Sequence, residues 1–396
     1  MKSELIFQIA STVYLDSSWG LGTSLFELVA GSDCPYNAEY FNFTFYNGAN
    51  PVTIRNSICI FEQDLAWPTR RHYDSDFVNS FTSSASSAGY ALVVRTSSPI
   101  YNYDYIYDYI FYPNGMVEAK MALGGYLQAI FYSADNFKED GYGTRVQEYT
   151  VGSLHEHIVG YKIDLDIAGT ENTLQALHID KETIQFPYFD KPITQKKITK
   201  EDITSDDKGG LKMNFERPTT HVVTNPTKFN KWGSRKGYKI NTNSPIKSVI
   251  GDDERSIGGA YTKYQIAVTK QKDNENYINS PHFCQANPLL CPVTIDDYLD
   301  GDNIDKQDIV IWLSMGGIHI PIAEDVPTQE TVGHASSLFI RPFNYFDEDP
   351  AMNIRGGGRI YRRDTPDGSL QTDLEPKAEK DCIPLKNLPE YDGRFL

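Results

Sequence analysis

Within residues 92–111, the stretch Tyr101-Asn102-Tyr103-Asp104-Tyr105 places three tyrosines two residues apart. Side chains on a β-strand alternate faces with that same period, whereas a helix would scatter the rings around its surface. The same pattern, rich in aromatic and β-branched residues, recurs over 90–95, 105–111, 116–122, 126–132, 158–167 and 264–269. A short apolar strand is expected over 308–315, with acidic residues before it. Pro113-Asn114-Gly115 reads as a hairpin turn, because Asn and Gly tolerate positive φ. Long amphipathic helical patterns are scarce. The charged stretch 191–210 reads as a solvated connection or a short helix, and the chain from Pro350 onward as an irregular tail. With 26 Tyr and 20 Phe in 396 residues, there is ample material for a large core of strands. The expected architecture is all-β: one large antiparallel β-sandwich with long loops and no internal repeat.

Charge narrows the partners. The net charge is −16, the wrong sign for holding a phosphate backbone, so nucleic acid is a poor partner and none is expected. An acidic surface draws small cations such as protonated amines, and it also simply keeps a protein soluble. Five cysteines make an odd count. Two disulfides with Cys382 left over would suit an oxidising compartment, and five reduced thiols are the alternative. Cys284 and Cys291 frame a proline-containing loop, and Asn42-Phe43-Thr44 is the single glycosylation sequence. No apolar run reaches membrane-spanning length. The first residues are too short and polar a stretch for a clear signal peptide, so the expectation is a secreted or extracellular-facing protein whose N-terminal part is missing.

Three histidines carry the chemistry. His155 and His157, at i and i+2, share one face of a strand, and His319 lies in an apolar strand far downstream. Three imidazoles suit Cu, Zn, Fe or Ni. A surface strand for the pair, and a hydrogen-bonded core histidine for His319, are the plainer readings of each residue alone. Asp164 and Asp166, with Asp308 and backbone carbonyls, form a hard-oxygen set suited to calcium; Tyr298, Asp300 and Asp302 form a second acidic cluster. Either cluster also fits a solvated acidic loop. Asp16, bracketed by Tyr14, Leu15 and Trp19, would gain a raised pKa if buried and would then serve as a base, or it is an ordinary turn aspartate.

Taken in order, Asn102-Tyr103-Asp104, Leu154-His155-Glu156-His157, Asp164-Leu165-Asp166 and Ile318-His319-Ile320-Pro321 resemble the copper-containing amine oxidases. Cys34-Pro35, Ile58-Cys59-Ile60, Arg70-Arg71-His72, Lys231-Trp232-Gly233 and Arg341-Pro342-Phe343-Asn344 extend the agreement. The resemblance runs from about Tyr14 to Pro350 and is to the catalytic domain of the animal diamine oxidase and vascular adhesion-type branch. It implies a divergent segment over 1–13, a catalytic β-sandwich domain with β-hairpin arms over 14–350 and a tail over 351–396. Tyr103 would be the precursor of topaquinone, with Asn102 orienting its ring, and His155, His157 and His319 would hold copper. Asp16 would be the catalytic base, Tyr14 would gate the channel, and Tyr101 would tune substrate entry toward diamines. Cys34 and Cys59 would pair. Asp164, Leu165, Asp166, Asp308 and Ile309 would bind calcium, and Tyr298, Asp300 and Asp302 a second calcium ion. The implied reaction is oxidative deamination of a primary amine by dioxygen in a homodimer. The alternative is a truncated, weakly active homologue serving as a copper-binding or adhesion protein; an unrelated metal-binding β-sandwich is a third. Two departures stand out: Pro99 where the family has a threonine, and Lys2 near the place of a tyrosine that bonds the quinone.

Overall fold

The structure is a computed structural model that describes residues 24–77, 81–100, 102–133, 142–249, 257–278, 291–353, 357–361 and 371–374. The chain divides into two compact units, one of 1–24, 98–107 and 118–347, the other of 25–97, 108–117 and 348–396. Strand β6 contributes residues to both.

In the unit that begins at Leu25, β1 (Glu39–Asn47), β2 (Asn50–Asp64) and β5 (Tyr90–Ile100) lie in that order, with β6 (Tyr103–Phe111) next. β3 (Arg70–Phe77) and β4 (Phe81–Ser87) belong to a separate four-stranded sheet. Cys34 and Cys59 form a disulfide within a cluster of Leu28, Phe61, Ala91, Val93 and Ile110. Asp108, buried on β6, takes two hydrogen bonds from the Arg95 guanidinium at 2.6 and 2.8 Å. This charge-assisted fork offsets the cost of placing a carboxylate in the interior.

The other unit continues from the first half of β6 through β7 (Val117–Gly125). A three-stranded sheet holds β8 (Ala129–Phe131), β9 (Gly143–Gln147) and β10 (Thr150–Ser153). Then come β11 (His155–Asp164), β12 (Thr173–Ile184), β13 (Ile193–Ile203), β14 (Thr219–Phe229), β15 (Arg235–Thr242), β16 (Ile266–Lys270), β17 (Ile309–His319) and β18 (Ala335–Phe343). One sheet runs β6, β7, β18, β15, β14, β12, β13; a second runs β11, β17, β16. From β11 to β18 these strands pair antiparallel, as the sequence led us to expect.

The core of this unit gathers Tyr103, Met121, Leu123, Leu174, Val223, Ile240 and Leu338 from the larger sheet with Ile163, Ile309, Ile311, Leu313 and Met315 from the smaller. β17 is buried on both faces, because Val310 and Trp312 enter a second cluster with Ile295 and Tyr298. Its unbroken run Ile-Val-Ile-Trp-Leu-Ser-Met follows from that double burial rather than from alternation.

Two expectations are corrected. The stretch 191–210 contains β13, paired along its whole length with β12 from Leu174↔Ile203 to Ile184↔Ile193. From Ile193 to Glu201 its residues are exposed on both faces, so no apolar alternation announces a strand. The tail is not wholly irregular: β19 (Gly357–Tyr361) and β20 (Gln371–Leu374) join β4 and β3 in their sheet.

Candidate metal centre

The pairing of β11 with β17 brings the three histidines together. His155 stands directly opposite His319, and His157 opposite Gly317. The adjacent Gly316 is required by closeness: a Cβ there would meet the His157 carbonyl oxygen at 1.9 Å. Ligand atoms of His155, His157 and His319 lie within 4.8 Å of one another, with His157 and His319 buried.

Hydrogen bonds fix which nitrogen each ring turns inward. His155 Nδ1 donates to the Ser153 carbonyl at 2.7 Å, which leaves Nε2 as a lone pair. His319 Nε2 donates to the Asp325 carboxylate at 2.9 Å, which turns Nδ1 toward the centre. These two inward nitrogens stand 3.3 Å apart. His157 Nδ1 contacts the Tyr105 hydroxyl at 2.9 Å, and its buried Nε2 has no partner. Burial is the main cause that lowers His155 to about 4 and His157 to about 2, so both rings are neutral at physiological pH. Among these inward nitrogens the buried His157 Nε2, left without a partner, costs roughly 1–3 kcal/mol. A cation among them removes that cost, and the outer hydrogen bonds are those that orient metal-bound imidazoles. The donor set therefore fits a transition metal.

Tyr103 completes the group. Its hydroxyl lies 3.0 Å from His155 Nε2 and 3.4 Å from His319 Nδ1, and the Gln128 N–H donates to it at 3.4 Å. Its ring centroid is 4.6 Å from that of His157. Burial pushes the phenol up to about 12. Gly125, at φ +129, packs against the preceding peptide; a Cβ there would sit 2.4 Å from Asn102 O and 2.8 Å from Tyr103 Cα. The Tyr126 N–H donates to that same Asn102 oxygen at 2.8 Å.

The chain's match to known proteins follows this geometry. Residues 7–360 match the model of the copper amine oxidase family, enzyme domain. The chain belongs to the copper amine oxidase family. It is similar to the copper-containing diamine oxidase of Mus musculus, 36% identical over 94% of this chain and 49% of that protein. It is 32% identical to the primary amine oxidase, liver isozyme, of Bos taurus, over 94% of this chain and 48% of that protein. The crystal structure of Aspergillus nidulans amine oxidase superposes with a TM-score of 0.82 at 28% identity, over 93% of this chain and 49% of that one. The chain thus spans about half the length of these copper amine oxidase relatives.

Other expected residues divide into those the fold gathers and those it does not describe. Asp164 and Asp166 cluster with Asp308, each offering an oxygen within 4.8 Å of the others. Burial first, and then neighbouring carboxylates, push Asp164 and Asp308 above the usual range. Asp300 and Asp302 cluster with Asp206, which the sequence did not single out. Asp206 is fully buried; one oxygen accepts the Gly301 N–H at 2.7 Å and the other has no partner. Lys272 Nζ reaches both Asp300 and Asp302 at 2.9 Å. The Tyr298 hydroxyl is turned away, donating to Tyr277 O at 2.7 Å. Tyr14, Asp16, Tyr101, Cys284 and Cys382 lie outside the described residues. Tyr105 and Asp325 are the contacts of this centre that sequence reasoning missed; their partners are 52 and 6 residues away.

Proposed function

We propose that the chain takes part in copper- and topaquinone-dependent oxidative deamination of primary amines, turning amine, dioxygen and water into aldehyde, ammonia and hydrogen peroxide. The observation that carries this reading is the Tyr103 hydroxyl, 3.0 Å from His155 Nε2 within a three-imidazole pocket where the buried His157 Nε2 has no partner. His155, His157 and His319 would hold the copper. Topaquinone, formed from Tyr103 when copper and dioxygen oxidise its ring, supplies the carbonyl that accepts the amine and the sink for its electrons.

The chain's own groups prepare that chemistry. The raised pKa keeps the Tyr103 phenol protonated at neutral pH until a cation alongside favours its oxygen anion. Gly125 and the Tyr126 N–H hold the Asn102–Tyr103 peptide from behind. Asp325, Ser153 and Tyr105 keep the imidazoles aimed. Asp16 is assigned the proton-abstracting base, Tyr14 the gate and Asn102 the ring-orienting role on family resemblance. Tyr101 and the diamine oxidase relatives support a diamine substrate.

Calcium is proposed at Asp164, Asp166 and Asp308 with the carbonyls of Leu165 and Ile309. A second ion is proposed at Asp206, Asp300 and Asp302 near Tyr298, where Lys272 competes with it. We also assign the chain an extracellular-facing location and a homodimeric state; the Cys34–Cys59 disulfide supports an oxidising compartment. A copper-binding homologue without turnover is not favoured, since the named relatives are oxidases. Adding putrescine to copper-loaded, oxygen-exposed protein is expected to release peroxide, and Tyr103→Phe to release none. Copper uptake with no peroxide from a panel of mono- and diamines would overturn the assignment.

A further inference from the structure

Asn42-Phe43-Thr44 lies on β1, far in sequence from the histidines and unused by the chemistry above. β1 ends its sheet and, among the described residues, pairs only with β2. Its outer backbone groups are therefore open to pairing with another strand. Proteins commonly blunt such an edge with charge or proline. β13, which ends the strand order of the other unit, carries Lys196, Lys197 and Lys200. β1 carries neither lysine nor proline. Its only charge is Glu39, and the window 40–46 contains Tyr40, Phe41, Phe43, Phe45 and Tyr46 with no proline or glycine. Uncharged windows of this length and β-propensity are the kind that stack into cross-β assemblies. Phe41 and Tyr46 are 42% and 54% exposed.

At Asn42 the ladder is interrupted. Register passes from Phe41↔Ile58 to Phe43↔Ile54, so Asn42 sits at a bulge. Asn56, at φ 48, faces it and donates its N–H to Asn42 Oδ1 at 3.1 Å. The Asn56 side chain is itself tied to Glu27 Oε1 at 2.9 Å. The Asn42 carboxamide is exposed and held by its oxygen, with its nitrogen directed to no described protein acceptor.

We propose that Asn42 is an N-glycosylation site and that its glycan shields the free edge of β1. In the transfer, Asn42 Nδ2 bonds to the anomeric carbon of an oligosaccharide carried on a lipid diphosphate. The bond from that carbon to the diphosphate oxygen breaks, the lipid diphosphate leaves with the electron pair, and the amide loses one proton. Nothing is oxidised or reduced. Thr44 completes the acceptor sequence, and the Cys34–Cys59 disulfide suits passage through an oxidising compartment.

The test uses the whole chain, expressed in mammalian cells behind a cleavable secretory leader. The wild-type chain is expected to show one mobility step removed by peptide N-glycosidase, lost in Asn42→Gln and Thr44→Val and kept in Thr44→Ser. Chain in the medium has met the transferase, so an unmodified Asn42 there overturns the site. If the chain stays in the cell, it is compared with Asn42→Gln/Ala49→Thr, which moves the acceptor sequence to Asn47. Modification at Asn47 in that variant, with Asn42 unmodified in the wild type, equally overturns the site. For the edge role, enzymatic removal of the glycan from native protein is expected to raise light scattering on heating, and Phe41→Lys to suppress the rise. Equal scattering with and without the glycan overturns the shielding role.

Discussion

The Tyr105 hydroxyl and the Asp325 carboxylate decide which nitrogen two of the three histidines turn toward the centre. Neither touches the inward nitrogens, so their removal leaves the ligands present and poorly aimed. Outer contacts of this kind change metal affinity by about 10–100-fold. Asp325→Ala and Tyr105→Phe are each expected to weaken copper binding within that range, measured by competition with a chelator at fixed pH. Unchanged affinity in both would show that the rings are held by packing alone. The three histidines and Tyr103 were legible in the sequence through the ordered motifs that resemble the copper amine oxidases. Tyr105 was given no role, since its contact with His157 exists only after two strands have packed. Asp206 was missed because 94 residues separate it from Asp300, and nothing local marks it as a cluster member.

At the level of elements, the register of β11 against β17 builds the site. His155↔His319 is the rung that matters, and Gly316 is one rung beyond His157↔Gly317. A Cβ at Gly316 would collide with backbone that cannot step aside, whereas at Gly317 nothing lies within 4 Å. Gly316→Ala is therefore expected to lower the melting temperature and weaken copper binding by more than tenfold, with Gly317→Ala close to wild type in both. Equal effects from the two substitutions would mean that the pairing does not set the histidine geometry. β17 was legible as a strand because its double burial makes Ile309–Leu313 continuously apolar, while β13 was not, because both of its faces are wet from Ile193 to Glu201. A hydrophobic pattern reports burial, and a strand that buries neither face leaves no such pattern.

For the molecule as a whole, charge couples the fold to pH and to cations. Asp164 and Asp308 both titrate above the ordinary value of 3.8 in the folded state. They hold protons more tightly folded than unfolded. Their contribution thus favours the fold at low pH and is lost as pH rises through their raised folded values. At neutral pH the carboxylates of this cluster stand charged beside one another, and there calcium has most to neutralise. Calcium is expected to raise the melting temperature at pH 7.5 and to do so progressively less as pH falls toward 4. A calcium effect that grows on acidification would contradict the assignment of that cluster. The whole-chain reading of an antiparallel all-β fold came from strand periodicity; the division into two units did not, because it depends on which distant segments pack together.

The central claim is that Tyr103 becomes the quinone at the three-histidine centre. After metal-free protein is loaded with copper and exposed to dioxygen, phenylhydrazine should give one coloured adduct per chain, on the peptide that contains Tyr103. Tyr103→Phe should bind copper and give none. Copper bound at His155, His157 and His319 with Tyr103 left unmodified would contradict the account.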